Sequence, residues 1–82
     1  MKFQLKGRSF DVTSDEVVAA LGNVRPESGR DYFVLVGDAW YPVKQAFEVV
    51  TGAPRRDFIT HTAARVFRKL GLQVRDDGAE LP

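Results

Sequence analysis

Apolar and polar residues alternate through Phe3, Leu5, Phe10 and Val12, the two-residue period of a half-buried strand. Gly7-Arg8 interrupts the alternation, so the pattern predicts two short strands joined as a hairpin. The period changes at Thr13. Thr13 and Glu16 have the spacing of a capping box, and Val17, Val18 and Leu21 gather on one side of the helix that opens there. Gly22-Asn23 supplies the stop. The following RPESGRD, residues 25–31, is a loop. Pro26 biases Arg25 away from helix, and Ser28-Gly29 marks a turn. A single glycine in a charged loop lacks the strand–Gly-rich loop–helix context of a phosphate cradle.

Tyr32 to Val36 is the strongest strand signal, built from β-branched and aromatic residues and Leu35. Gly37-Asp38 is a two-residue hairpin connection, and Ala39 to Tyr41 returns as the partner strand. Pro42 cannot donate to a ladder but suits the first turn of a helix. Val43, Ala46, Phe47 and Val50 then form a one-sided apolar stripe, ended by Gly52 and Pro54. Ala53 to Ile59 is a connector holding Arg55-Arg56 and a buried Phe58. Thr60 is placed to cap the last helix. Ala63, Val66, Phe67 and Leu70 repeat the stripe, Gly71 ends it, and Leu72 and Val74 open a short closing strand.

These elements predict an α+β domain in the order β-β-α-β-β-α-α-β, a small, mostly antiparallel sheet with three helices packed on it. The expected core holds Phe10, Val17, Leu21, Phe33, Leu35, Phe47, Val50, Phe58, Val66, Phe67 and Leu70. An all-helical winged-helix arrangement is the alternative, with the Tyr32–Tyr41 hairpin as its wing. The domain spans residues 1–75, and residues 76–82 read as a flexible acidic tail.

A chain of 82 residues makes one domain with a thin stability margin. It has no cysteine, so disulfides and thiolate metal sites are excluded and a reducing cytoplasm is the expected setting. No apolar run approaches membrane-spanning length, so no membrane partner is expected. The net charge of +1 conceals a gradient. Met1 to Tyr41 carries five bases and six acids. Pro42 to Arg75 carries seven bases and two acids, a balance of +5. The tail adds Asp76, Asp77 and Glu80. A basic segment between neutral and acidic flanks points to a negatively charged partner.

Catalysis has little support. His61 is the one histidine, and Ser9, Ser14 and Ser28 sit in no nucleophile-elbow setting. Asp57 and His61 are two ligands at most, too few for a metal site, and no cofactor motif is present. The basic helix offers more. With its apolar stripe turned inward, Arg65, Arg68 and Lys69 share the exposed face. Arg55 and Arg56 lie in the loop leading into it. Thr60 and His61 sit at its N-terminus, where unpaired N–H groups favour a phosphate. Lys44 adds a further cation. Trp40 and Tyr41, adjacent in a strand, face opposite ways. One enters the core, and the other is available to stack on a base or a protein partner.

The order YFVLVGDAWYPVKQAFEVVTG followed by RRDFITHTAARVFRKLGLQV resembles the small N-terminal module of McrA-type HNH restriction endonucleases and its stand-alone relatives. Tyr41-Pro42-Val43-Lys44 matches that family's "YPxK" helix start, Phe58 its phenylalanine, and Leu70 to Val74 its "LGF-x-V" ending, with Leu72 in place of the family's usual phenylalanine. The resemblance covers residues 31–75. After Phe58 the family often has Ser-Gly-Gly, where this chain has Ile59-Thr60-His61-Thr62. The resemblance implies DNA binding, with DNA ahead of RNA. No HNH motif is present, so it implies no nuclease activity. The combined expectation is a non-catalytic DNA-binding module contacting nucleic acid through Lys44, Arg55, Arg56, Thr60, His61, Arg65, Arg68 and Lys69, with Trp40 or Tyr41 as aromatic contact. A protein-interaction adapter or homodimerisation module is the alternative, suggested by exposed strand edges.

Overall fold

Strands β1 (Lys2–Leu5) and β2 (Arg8–Asp11) pair antiparallel, with Phe3 opposite Phe10. The computed structural model describes residues 1–30, 32–75 and 80–81. The tight turn falls on Lys6-Gly7, both at positive φ, 52° and 76°. That is the backbone twist a two-residue hairpin favours. The Phe3 ring stacks on Phe10 and lies 5.6 Å from the ring of Phe47, which seats the hairpin on the core.

Helix α1 (Ser14–Leu21) opens on the expected capping box. The Thr13 hydroxyl accepts from the Glu16 N–H, and the Glu16 carboxylate accepts from the Thr13 N–H. Such a cap contributes about 1 kcal/mol. Val17 and Leu21 turn inward and Val18 stays exposed.

After the two-residue strand β3 (Gly29–Arg30), strands β4 (Phe33–Val36) and β5 (Ala39–Pro42) form the second hairpin across Gly37-Asp38. Helix α2 (Val43–Thr51) follows without a linker. Pro42 serves as its N-cap rather than as its first helical residue, and Gly52 ends it in the left-handed conformation. A single 3₁₀ turn at Arg55–Asp57 leads to α3 (Thr60–Lys69). At the far end of α3 the Gly71 N–H donates to the Arg68 carbonyl and the Leu72 N–H to the Phe67 carbonyl. These are the two bonds of a Schellman motif. Strand β6 (Val74–Arg75) then pairs with β4.

The protein is the expected α+β domain, with the expected order of strands and helices. Among the described residues the strands fall into three antiparallel groups: β1–β2, β5–β4–β6, and the additional pair β3–β7, in which Glu80–Leu81 (β7) lies against Gly29–Arg30. Of the expected acidic tail, residues 76–79 and 82 lie outside the described residues. The winged-helix alternative does not hold, because β4 is the central strand of the main sheet and Phe33, Val34 and Val36 are buried. A wing would project from the body instead. Among the described residues no helix is long and apolar enough to cross a membrane.

All three helices share one core with the inner face of β4–β5. Val17 and Leu21, Val34, Val36 and Tyr41, Ala46 and Phe47, and Val66 and Phe67 belong to a single buried cluster. The Phe47 ring sits at its centre, 4.6 Å from Phe58 and 6.0 Å from Phe67. The expected core needs one correction of face. Val34 and Val36 point to the helices, so Leu35 lies on the opposite side and is only half-buried. Phe33 shares that outer side yet is fully buried. An apolar run with both neighbours covered carries no alternation from which to choose a face. Phe10, Val50 and Leu70 are half-buried against the cluster rather than inside it.

Candidate functional site

The segment Tyr41 to Gln45 joins the sheet to the loop before it. Tyr41 is buried, and its hydroxyl donates to the carbonyls of Leu21 and Val24 at 3.0 and 2.9 Å. It therefore ties down the chain leaving α1. Among the described residues Gln45 is the one charged or polar residue in the buried set. Its Oε1 accepts from the Glu27 N–H and its Nε2 donates to the Arg25 carbonyl, both at 2.9 Å. A buried amide making both bonds satisfies loop groups that would otherwise be costly to remove from water.

Arg55 holds the same loop from outside. It reaches both Glu27 carboxylate oxygens, at 2.9 and 2.7 Å, and its Nε donates to Glu48 at 2.9 Å. The guanidinium keeps the Glu27 carboxyl below its ordinary range, chiefly through the hydrogen bonds. Glu27 in turn pushes the Arg55 proton affinity up. Both side chains remain partly exposed, so solvent screens the pair and its main effect is geometric.

These contacts frame a shallow depression of about 210 Å³ where the starts of α2 and α3 meet the loop. Its wall includes Gly29, Tyr32, Lys44, Arg55 and Thr60. Lys44 lies over the Phe58 ring, its Nζ 5.5 Å from the centroid. The Tyr32 hydroxyl is 3.5 Å from His61 Nδ1 and the two rings meet edge to face at 5.2 Å. Gly29 leaves room that no other residue would. A Cβ there would stand 2.7 Å from Pro42 Cγ. A larger hollow of about 420 Å³ lies on the β1–β2 hairpin, away from every candidate residue.

Helix α3 leads away from the depression. Ala63, Ala64, Val66 and Phe67 are buried, and His61, Arg65, Arg68 and Lys69 are exposed. At about 100° per residue those four occupy an arc of roughly 100°. They therefore make one stripe running from the N-terminus of α3 to its last turn. Arg68 and Lys69 also sit where cations complement the helix dipole.

The structure thus brings together most of the expected site and removes part of it. Lys44, Thr60 and His61 converge around the depression, and Arg65, Arg68 and Lys69 extend from it. Arg56 is exposed in the 3₁₀ turn. Arg55 is a loop clamp, its charge balanced by Glu27 and Glu48. Thr60 is the first helical residue and not the cap. Ile59 occupies the N-cap position, without a side-chain cap bond. Tyr41 is interior, so it is no surface contact. Trp40 stands opposite Leu35 on the outer face of the sheet, with Arg75 5.4 Å from its ring. The helices pack on the inner face, so Trp40 does not share a surface with the α3 stripe.

Sequence reasoning missed Tyr32, Gln45 and Glu27. Tyr32 meets His61 across 29 positions and Gln45 meets Glu27 across 18, and neither separation leaves a periodic trace. The family model described as SCO5918-like matches residues 1–82, the whole chain. No curated protein and no solved structure matches it.

Proposed function

The chain belongs to the SCO5918-like family, and from the geometry of α3 we propose that it is a non-catalytic DNA-binding module. The observation that carries this reading is the single exposed stripe of His61, Arg65, Arg68 and Lys69 on a helix whose other side is buried. Arg65, Arg68 and Lys69, with Arg56 in the approach, neutralise phosphates. Lys44, Thr60 and His61 receive a phosphate where α3 begins. Arg55 shapes the loop beside them and takes no phosphate.

Duplex DNA fits this surface better than duplex RNA. A helix with its side chains is about 10–12 Å across. The B-DNA major groove is about 12 Å wide, whereas the A-form major groove is too narrow for side chains to read.

Five neutralised phosphates, the one at Lys44 included, give a log–log salt slope of about −4.5, so affinity falls roughly 500-fold between 50 and 200 mM salt. A fluorescence titration of a duplex at several salt concentrations measures it. Arg65→Glu with Lys69→Glu should abolish the binding. Absence of binding at low salt, or full binding by the double variant, sinks the reading.

A second reading, a protein-interaction or homodimerisation module, draws on Trp40 and Leu35. They form a half-buried cross-strand pair outside the helix-side cluster. Light scattering that finds a dimer disrupted by Trp40→Ala would favour it, and a strict monomer would remove its support.

A further inference from the structure

We propose that His61 makes the DNA affinity pH-dependent: the proton its imidazole takes up as the pH falls adds a sixth cation to the binding surface. This deepens the DNA-binding reading above and rests on it. Histidine is the side chain whose charge ordinarily changes between about pH 8 and pH 5, and His61 is the one histidine of the chain. It is exposed and stands one turn before Arg65. It therefore opens the stripe whose other members are Arg65, Arg68 and Lys69, and arginine and lysine keep their charge across that interval.

The fold holds the ring from one side. Tyr32, at the entry to β4, meets it edge to face with the ring centroids 5.2 Å apart. The Tyr32 hydroxyl lies 3.5 Å from Nδ1, long for a hydrogen bond, so ring packing does most of the holding. That hydroxyl suits either state of the ring, since it donates to a neutral Nδ1 and accepts from a protonated one. The imidazole therefore changes charge without leaving the head of the stripe.

The charged neighbours leave the added charge unspent. Arg65 follows one turn on along α3. Lys44, Arg55 and Glu27 line the depression together with Tyr32, and Glu27 is bonded to Arg55. Asp57 is the acid on the segment leading into α3. Among the described residues no carboxylate bonds to the His61 ring, in contrast to Arg55, whose charge Glu27 and Glu48 balance. A phosphate brought against the ring favours its charged form. By linkage the protonated ring favours the phosphate equally, so binding takes up at most one proton here.

Duplex titrations at about pH 8 and pH 5, each over several salt concentrations, read the charge directly. A sixth neutralised phosphate should steepen the log–log salt slope from about −4.5 to about −5.4. Counterion release then tightens binding at the lower pH by roughly 15-fold at 50 mM salt and roughly fourfold at 200 mM, relative to 1 M. His61→Gln should show one slope at both pH values, and His61→Lys the steeper slope at both. The Met1 amino group also titrates in this interval. It is paired with Asp11 and is common to all three proteins, so the comparison cancels it. A slope that does not change with pH in the intact protein, with salt-sensitive binding present, overturns the role of His61 and leaves the DNA-binding reading standing. So does a pH dependence that persists in His61→Gln, which would belong to another group. Absence of salt-sensitive binding at either pH overturns both.

Discussion

Replacing Gln45 by leucine keeps a side chain of similar bulk but removes both polar contacts to the loop before β3. The Glu27 N–H and the Arg25 carbonyl each lose a 2.9 Å partner. Leaving a buried group unsatisfied costs about 1–3 kcal/mol. These two groups are only partly buried, so water recovers some of that. Burying leucine in place of an amide returns about 1–2 kcal/mol. The expected net loss is therefore about 1–4 kcal/mol, against a total of about 4–12 kcal/mol for 82 residues. Urea unfolding should show it. With a slope of about 1 kcal/mol/M, the midpoint falls by about 1–4 M. Amide hydrogen exchange gives the local signature, because the Glu27 N–H is itself the lost donor and should lose its protection. A stability change below about 0.5 kcal/mol together with unchanged Glu27 exchange would refute the clamp. The outcome bears on function, since the loop forms one wall of the depression at the start of α3.

Two further outcomes follow from the same loop. Arg55 lowers the Glu27 pKa below 4.5. The pair's contribution is thus fully present above that value and is lost as the pH falls through the folded value. Glu27→Gln should cost about 1 kcal/mol or less at pH 7, given the exposure of both partners. The difference from the parent should shrink as melts are taken to pH below the ordinary glutamate range, and a gap that does not shrink with falling pH would refute the assignment. Gly29→Ala should destabilise by about 1–3 kcal/mol, because a Cβ at 2.7 Å meets the rigid ring of Pro42 and the loop must shift. Thermal melts of that variant test it, and an unchanged midpoint would show that the approach is not tight.

Local chemistry in the sequence determined the elements and their order. The Thr13–Glu16 box, the Gly37-Asp38 turn and the glycines at 52 and 71 each act within a few residues, so their effect is written in adjacent positions. The exposed stripe of α3 was legible for the same reason, since helical periodicity alone separates Arg65, Arg68 and Lys69 from Ala63, Val66 and Phe67. Tertiary structure decided what periodicity leaves open. It chose the Val34 and Val36 face of β4 for the core, because both faces of that strand are apolar and only the helices distinguish them. It sent Tyr41 inward to the carbonyls of Leu21 and Val24 and left Trp40 outside. It also gave Arg55 to Glu27 and Glu48 and drew Tyr32 to His61. Those pairings join residues far apart in the chain, and a single sequence records which charges it carries but not which of them meet.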